Sequence, residues 1–172
     1  MIRVAFIRPF SLVALFAGLA LNTLHAAPVS IGGIYEGQGM AVLTEPAYEG
    51  PVSLRALLSL DFDHARGLRA HGGITKVEFL QEARSLKVIT RDADGRQEWT
   101  AGWNRNGGFQ ATEEGVKFLI RTKATGGQLY MFTLNPASDG RAMTVKIQRI
   151  ENTNTGPLGF DIGTFLFLRA AE

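Results

Sequence analysis

Asp61, Asp63, His64 and His71 lie close together in the chain and form its densest grouping of oxygen and imidazole donors. That donor mix suits a divalent transition metal, and Asp61 and Asp63 would point the same way on a continuing strand. Their spacing matches no diagnostic ligand set. The plainer reading is a strand that ends in polar residues before a solvated loop, and no metal is expected. Asp92-Ala93-Asp94-Gly95 has the opening of a calcium loop but lacks the other ligands and the closing glutamate, so it reads as a hairpin turn. The chain has no cysteine and three histidines. Disulfides, thiolate nucleophiles and Cys-based zinc sites are excluded, Gly-x-Ser-x-Gly is missing, and triad catalysis has almost no material. Glu113-Glu114 falls at a turn and reads as a solvated pair, and nothing in the sequence singles out a pair of glycosidase carboxylates. No catalytic residue is singled out and no cofactor is implied.

Aromatic residues give the stronger signal. Trp99, Ala101 and Trp103 share one strand face, Tyr130 and Phe132 lie on a later run, and Phe165 and Phe167 on the last. Rings at such positions build an ordinary aromatic core, or they line a cavity for one small apolar molecule. Trp99, Trp103, Tyr130, Phe132, Phe165 and Phe167 are therefore the candidate ligand-binding residues.

The stretch Gly37-Gln38-Gly39-Met40 has the first two glycines of a dinucleotide fingerprint and lacks the third. A phosphate-binding loop must also end a strand and open a helix, whereas this one continues into Val42, Leu43 and Pro46. It reads as a first strand kinked by glycines, which mark bends and close backbone approaches.

The elements that must position these residues are short apolar runs cut by turns. Val52 to Phe62 alternates, with Val52, Leu54, Ala56, Leu58, Leu60 and Phe62 on one face and Leu57 the exception, which predicts a strand. Thr75 to Arg84 also reads as strand, and Asp63 to His71 as a turn or two of helix weakened by Gly67. Ser85 to Arg91 and Arg96 to Trp103 flank the Asp-Gly turn. Phe109 to Glu113, Val116 to Thr122, Gln128 to Leu134, Arg141 to Ile150 and Phe160 to Arg169 follow, each set off by turn residues. This spacing predicts an all-β fold, an antiparallel up-and-down β-barrel of about eight to ten strands.

Gly33-Ile34-Tyr35-Glu36-Gly37-Gln38-Gly39 resembles the opening strand of calycin-type barrels, the lipocalin, fatty-acid-binding and nitrobindin-like group. Gly163-Thr164-Phe165-Leu166-Phe167-Leu168-Arg169 is similar to their closing strand. The resemblance rests on the two chain ends, with Tyr35 standing where lipocalins prefer Trp. It implies that Arg169 packs across Tyr35 where the barrel closes. A nitrobindin-like haem site would need a histidine near the C-terminus; the last one is His71, so haem binding is not implied.

The opening segment is not part of this fold. Arg3 and Arg8 precede an uncharged run, Phe10 to Leu21, followed by small Ala26 and Ala27. That order is a secretory signal peptide, and the run is shorter than the roughly 20 residues of a spanning helix. Residues 1–26 are expected to be removed, leaving 27–172 as a single domain in the periplasm or outside the cell, without a lipid anchor. Loss of Arg3 and Arg8 leaves 16 of the 18 basic residues against 16 acidic ones. The balance carries no basic footprint for nucleic acid.

Three functions fit these observations. The leading one is a barrel that binds a small hydrophobic or amphipathic molecule in its interior. A filled barrel that docks a protein partner in the envelope is the second. An isomerase, cyclase or hydrolase on a barrel scaffold is the third; it requires titratable groups converging inside the barrel, which the scarcity of histidine disfavours. Export is checked by N-terminal sequencing of the secreted protein, which should begin at Ala27 or Pro28; a full-length cytosolic product would overturn it.

Overall fold

A computed structural model describes residues 27–62, 74–123 and 127–171. The expected signal peptide and Asp63, His64 and His71 lie outside the described residues. In chain order the elements are β1 (Gly33–Glu36), β2 (Gln38–Thr44), β3 (Pro51–Ser53), α1 (Leu54–Leu58), β4 (Ile74–Glu82), β5 (Ser85–Asp92) and β6 (Gln97–Asn104). A 3-10 turn (Arg105–Gly107) leads into β7 (Gln110–Ala111), β8 (Val116–Arg121), β9 (Leu129–Pro136), β10 (Ala142–Thr153) and β11 (Gly156–Leu168). The fold is all-β, and every strand pairing is antiparallel.

Two sheets share the core. One has the order β1-β4-β5-β6 and the other β3-β2-β11-β10-β9-β8-β7. Alternation decides which side chains face inward: Met143, Val145 and Ile147 of β10 are fully buried, and the residues between them are partly exposed. Tyr35, Val77, Phe79, Leu86 and Val88 of the first sheet meet Val116, Phe118, Phe132, Leu134, Phe165 and Phe167 of the second in one continuous apolar cluster. The turn at Asp92 is held by its side chain, whose Oδ1 accepts from the amides of Asp94 at 2.9 Å and Arg96 at 2.8 Å.

β1 and β2 are one strand bent at Gly37, with β1 in the first sheet and β2 in the second. The glycine stretch is thus strand, and no helix opens from it. Gly39 allows β2 to lie close against β11, because a Cβ there would overlap the Leu166 carbonyl oxygen and the Phe167 ring. At one end, residues 29–31 cross between the sheets. The Val29 amide donates to Thr112 O at 2.9 Å, and Gln81 binds both Val29 O at 3.0 Å and the Ile31 amide at 2.8 Å.

Two expectations need correction. Val52 to Phe62 is not one strand: it pairs only as far as Ser53 and then turns into α1. Ser53 Oγ accepts from the Ala56 amide at 3.3 Å and caps the helix, and Leu-Arg-Ala-Leu-Leu is made of good helix formers. Leu57, anomalous for a strand, is explained by the helix, since Leu54, Leu57 and Leu58 fall at i, i+3 and i+4 and all are buried. The Leu54 amide donates to Gly37 O at 3.0 Å, fixing the helix against the strand bend. α1 ends with Leu60 in the left-handed region (φ 59°), where glycine is usual. The Leu60 amide returns to Leu57 O at 2.9 Å and the Asp61 amide to Ala56 O at 2.9 Å.

The second correction concerns closure. The strands do not form one continuous closed ladder: among the described residues nothing pairs β6 with β7 or β8. Phe109 to Glu113, expected as a full strand, contributes only the two residues of β7, because the preceding 3-10 turn and left-handed Gly108 (φ 83°) redirect the chain. Side chains span the break instead. Trp103 of β6 packs on Phe118 of β8 with ring centroids 4.3 Å apart, and Phe118 stacks on Phe132 at 5.2 Å.

If α1 is inserted as described, Leu57→Ala should destabilise by about 2–4 kcal/mol in urea unfolding. A near-zero effect would return this segment to a strand with Leu57 on its wet face.

Candidate functional site

Arg169 reaches Tyr35 at the junction of the first and last strands. An isolated antiparallel bridge joins the two residues, and the Ala170 amide donates to Ile34 O at 2.9 Å. The Arg169 guanidinium lies 5.9 Å from the Tyr35 ring centroid, donates to Gly32 O at 2.6 Å and reaches Gly140 O at 3.4 Å. Gly33 makes room: its φ is 141°, and a Cβ there would overlap the guanidinium. Tyr35 is buried edge-on to Phe79 at 5.6 Å, and its hydroxyl donates to Ile31 O at 3.1 Å. Burial pushes the Tyr35 phenol above its ordinary value, and the Arg169 charge opposes part of that rise.

The six aromatic candidates divide into two groups. Phe132, Phe165 and Phe167 are buried in the shared core, packed on neighbouring side chains. Trp99, Trp103 and Tyr130 are only partly buried. Trp103 is committed to Phe118 and borders a shallow recess of about 410 Å³ with Lys87, Thr100 and Asn104. Trp99 and Tyr130 lie farther along their strands, beside the segment that contains α1.

That segment touches each of them through a different side chain. Arg55 of α1 lays its guanidinium over the Trp99 indole, 4.2 Å from the ring centroid. Phe62, just beyond the helix, packs against Tyr130 at 5.5 Å. Behind Trp99, fully buried Thr90 donates to its carbonyl at 3.5 Å. Tyr130 pairs across the ladder with Arg149, and Arg149 in turn with Phe160. The Arg149 guanidinium stands 5.4 Å from the Phe160 ring, and its Nη2 meets Glu151 at 2.8 Å.

Among the described residues, the buried Nε of each arginine has no hydrogen-bond partner. Arg55 Nη1 donates to Ser59 Oγ. Its desolvation lowers the guanidinium's proton affinity, and the nearby Asp61 carboxylate partly restores it. A cation with an unsatisfied buried donor is costly without an acceptor, so this end combines aromatic faces with unused donor capacity. Among the described residues no group of three or more His, Asp or Glu is placed to hold a metal ion.

Arg55, Phe62 and Arg149 were not among the residues singled out from the sequence. Arg149 carries a legible signal, since it continues the inward parity of Met143, Val145 and Ile147 as a charged residue. Arg55 was hidden by the strand reading, which put it on a wet face.

Comparison with protein-family models, with curated proteins and with solved structures found no match.

Arg169→Ala should cost from several tenths to about 1 kcal/mol in chemical denaturation, from the lost cation–π contact and the freed Gly32 carbonyl. Arg169→Lys should recover only part of it, because lysine lacks the planar fork that stacks and donates together. Full recovery by lysine would reduce the contact to simple charge.

Proposed function

We propose that the protein is an exported, calycin-like barrel protein that binds a small hydrophobic or amphipathic molecule at the end where α1 lies. The reading rests chiefly on one contrast. Phe118, Phe132 and Phe167 are fully buried against one another and their neighbours, whereas Trp99 and Tyr130 keep part of their surface open beside Arg55 and Phe62. Rings with both an apolar body and an open face suit a ligand that is apolar with a polar end. The proposed location is therefore the barrel's end, not its full interior, which is filled by side chains around Phe118 and Phe132.

The calycin-like reading is supported by the strand shared through Gly37, by Arg169 over Tyr35, and by the crossing of residues 29–31 at the opposite end. Export is supported by the opening segment alone. No catalytic role, metal or cofactor enters the proposal.

A second reading, a filled barrel that docks an envelope protein, is favoured by one observation. Met40, Val42, Leu43 and Leu168 are 66%, 61%, 68% and 57% exposed along β2 and the end of β11. Apolar side chains grouped in this way are a common mark of protein contact. A photo-crosslinking residue at position 40 would capture a discrete partner in intact cells under that reading, and none under the first.

Native mass spectrometry of the protein purified from its own periplasm tests the leading proposal. We expect a bound mass of a few hundred daltons that is released on unfolding. The bare polypeptide mass in every preparation would refute it.

A further inference from the structure

We propose a second, separate site at the end opposite α1, where Arg84 and Arg105 hold a phosphate group between them. Two turns build it. Ala83 and Arg84 join β4 to β5, and Arg105 opens the 3-10 turn that follows β6. The Arg105 amide donates to Arg84 O at 3.2 Å, which ties the two arginine backbones together. Asn104 fixes the second turn: its Oδ1 accepts from the Gly107 amide at 3.0 Å and its carbonyl from the Phe109 amide at 3.0 Å. Left-handed Gly108 redirects the chain, and β7 is only two residues long. The corner left beside it is a recess of about 350 Å³, lined by Ala83, Arg84, Arg105, Phe109, Gln110 and Thr112. Phe109 belongs to the core cluster and gives the recess an apolar wall. Thr112 accepts from the Val29 amide at 2.9 Å, which sets the recess beside the chain crossing of residues 29–31.

Two guanidiniums lining one recess repel each other unless an anion lies between them. Among the described residues neither takes part in an ion pair or a side-chain hydrogen bond. The acidic residues close by in the chain do not neutralise them. Glu82 accepts from Ser85 Oγ at 2.9 Å, Glu114 meets Lys117 at 3.6 Å, and Glu113 is not part of the lining. The charge and the donor count select the ligand. A carboxylate offers one charge and two oxygens, which a single arginine fork satisfies. A phosphate monoester carries about −1.5 to −2 charge at pH 7 and three acceptor oxygens, enough to engage both forks. The volume of about 350 Å³ falls at the lower end of small-ligand sites, about 300–1,000 Å³. It leaves room for a small organic body against Phe109 and Ala83.

The test titrates phenyl phosphate and benzoate into the purified protein and follows the backbone amides by NMR. Phenyl phosphate should shift the amides of Arg84, Arg105 and Gln110 saturably and bind about ten-fold more tightly than benzoate, the size expected of one additional charge-assisted contact. Arg84→Met and Arg105→Met should each weaken phenyl phosphate about ten-fold. Both side chains are exposed, so their replacement leaves the core untouched. Either lysine variant should keep part of the affinity, because the charge remains and the planar fork is lost. Arg96→Met is the control, since Arg96 pairs with Asp94 in the turn between β5 and β6 and should not affect binding. Phosphatidylcholine vesicles containing phosphatidic acid separate the two sources of the phosphate. Sedimentation with them that both methionine variants abolish places it on a lipid headgroup; phenyl phosphate binding without sedimentation places it on a soluble ester. Equal affinity for phenyl phosphate and benzoate, affinity unchanged in either methionine variant, or shifts spread alike over every arginine overturns the site. None of these results bears on the apolar ligand proposed for the α1 end.

Discussion

The close approach of the first strand to the last is the constraint on which the rest of the structure depends. β1 and β2 must serve two sheets, so the backbone bends at Gly37 and passes close to β11 at Gly39. Bending frees the Gly37 carbonyl, and the amide of Leu54 takes it. α1 is placed by that bond and by the burial of Leu54, Ala56, Leu57 and Leu58. The position of Arg55 over Trp99 follows from the same placement. Arg169 secures the other half of the junction, where a backbone bridge alone would be a weak join between two sheets.

This arrangement leaves the molecule unequal along its length. One end is covered by residues 29–31, held through Gln81 and Thr112. The middle is packed with phenylalanine rings, and Trp103 on Phe118 covers the side where the ladder is interrupted. At the end with α1, aromatic rings meet arginines instead of other aliphatic groups. A polar group is tolerated in such a position only when something satisfies it. Leu60, in a conformation usual for glycine, turns the chain so that Asp61 and Phe62 project at this same end.

Much of the strand order was legible because alternation and turn residues are local signals. Ser85 to Arg91, the Asp-Gly turn and the run to Trp103 became β5, its turn and β6 nearly as read. Gly115 and the residues around it likewise ended β7 and began β8. The misreading at Val52 to Phe62 has a physical cause. Leucines at i and i+2 satisfy a strand, and leucines at i+3 and i+4 satisfy a helix, and this segment contains both. Burial on the core decided in favour of helix, with Leu57 only 1% exposed. At the candidate site, Trp99 and Tyr130 were visible as aromatics, but nothing local separated them from Phe132 and Phe167. Their difference is depth in the fold, which is not a property of strand spacing.

Composition and pattern by themselves determined the lack of thiol chemistry, the all-β class, the turns at Asp92 to Gly95 and around Gly115, and the inward face of runs such as Met143, Val145 and Ile147. They also determined that the glycines of the first strand are structural, since no helix pattern follows them. Only the tertiary structure decided that the sheets are two and not one closed ladder, because pairing between β6 and β8 depends on how the 3-10 turn redirects the chain. It alone brought Arg55 to Trp99 and Phe62 to Tyr130, contacts between residues far apart in sequence. Periodicity assigns a residue to a face; only packing decides which faces meet and which side chains are left with part of their surface open.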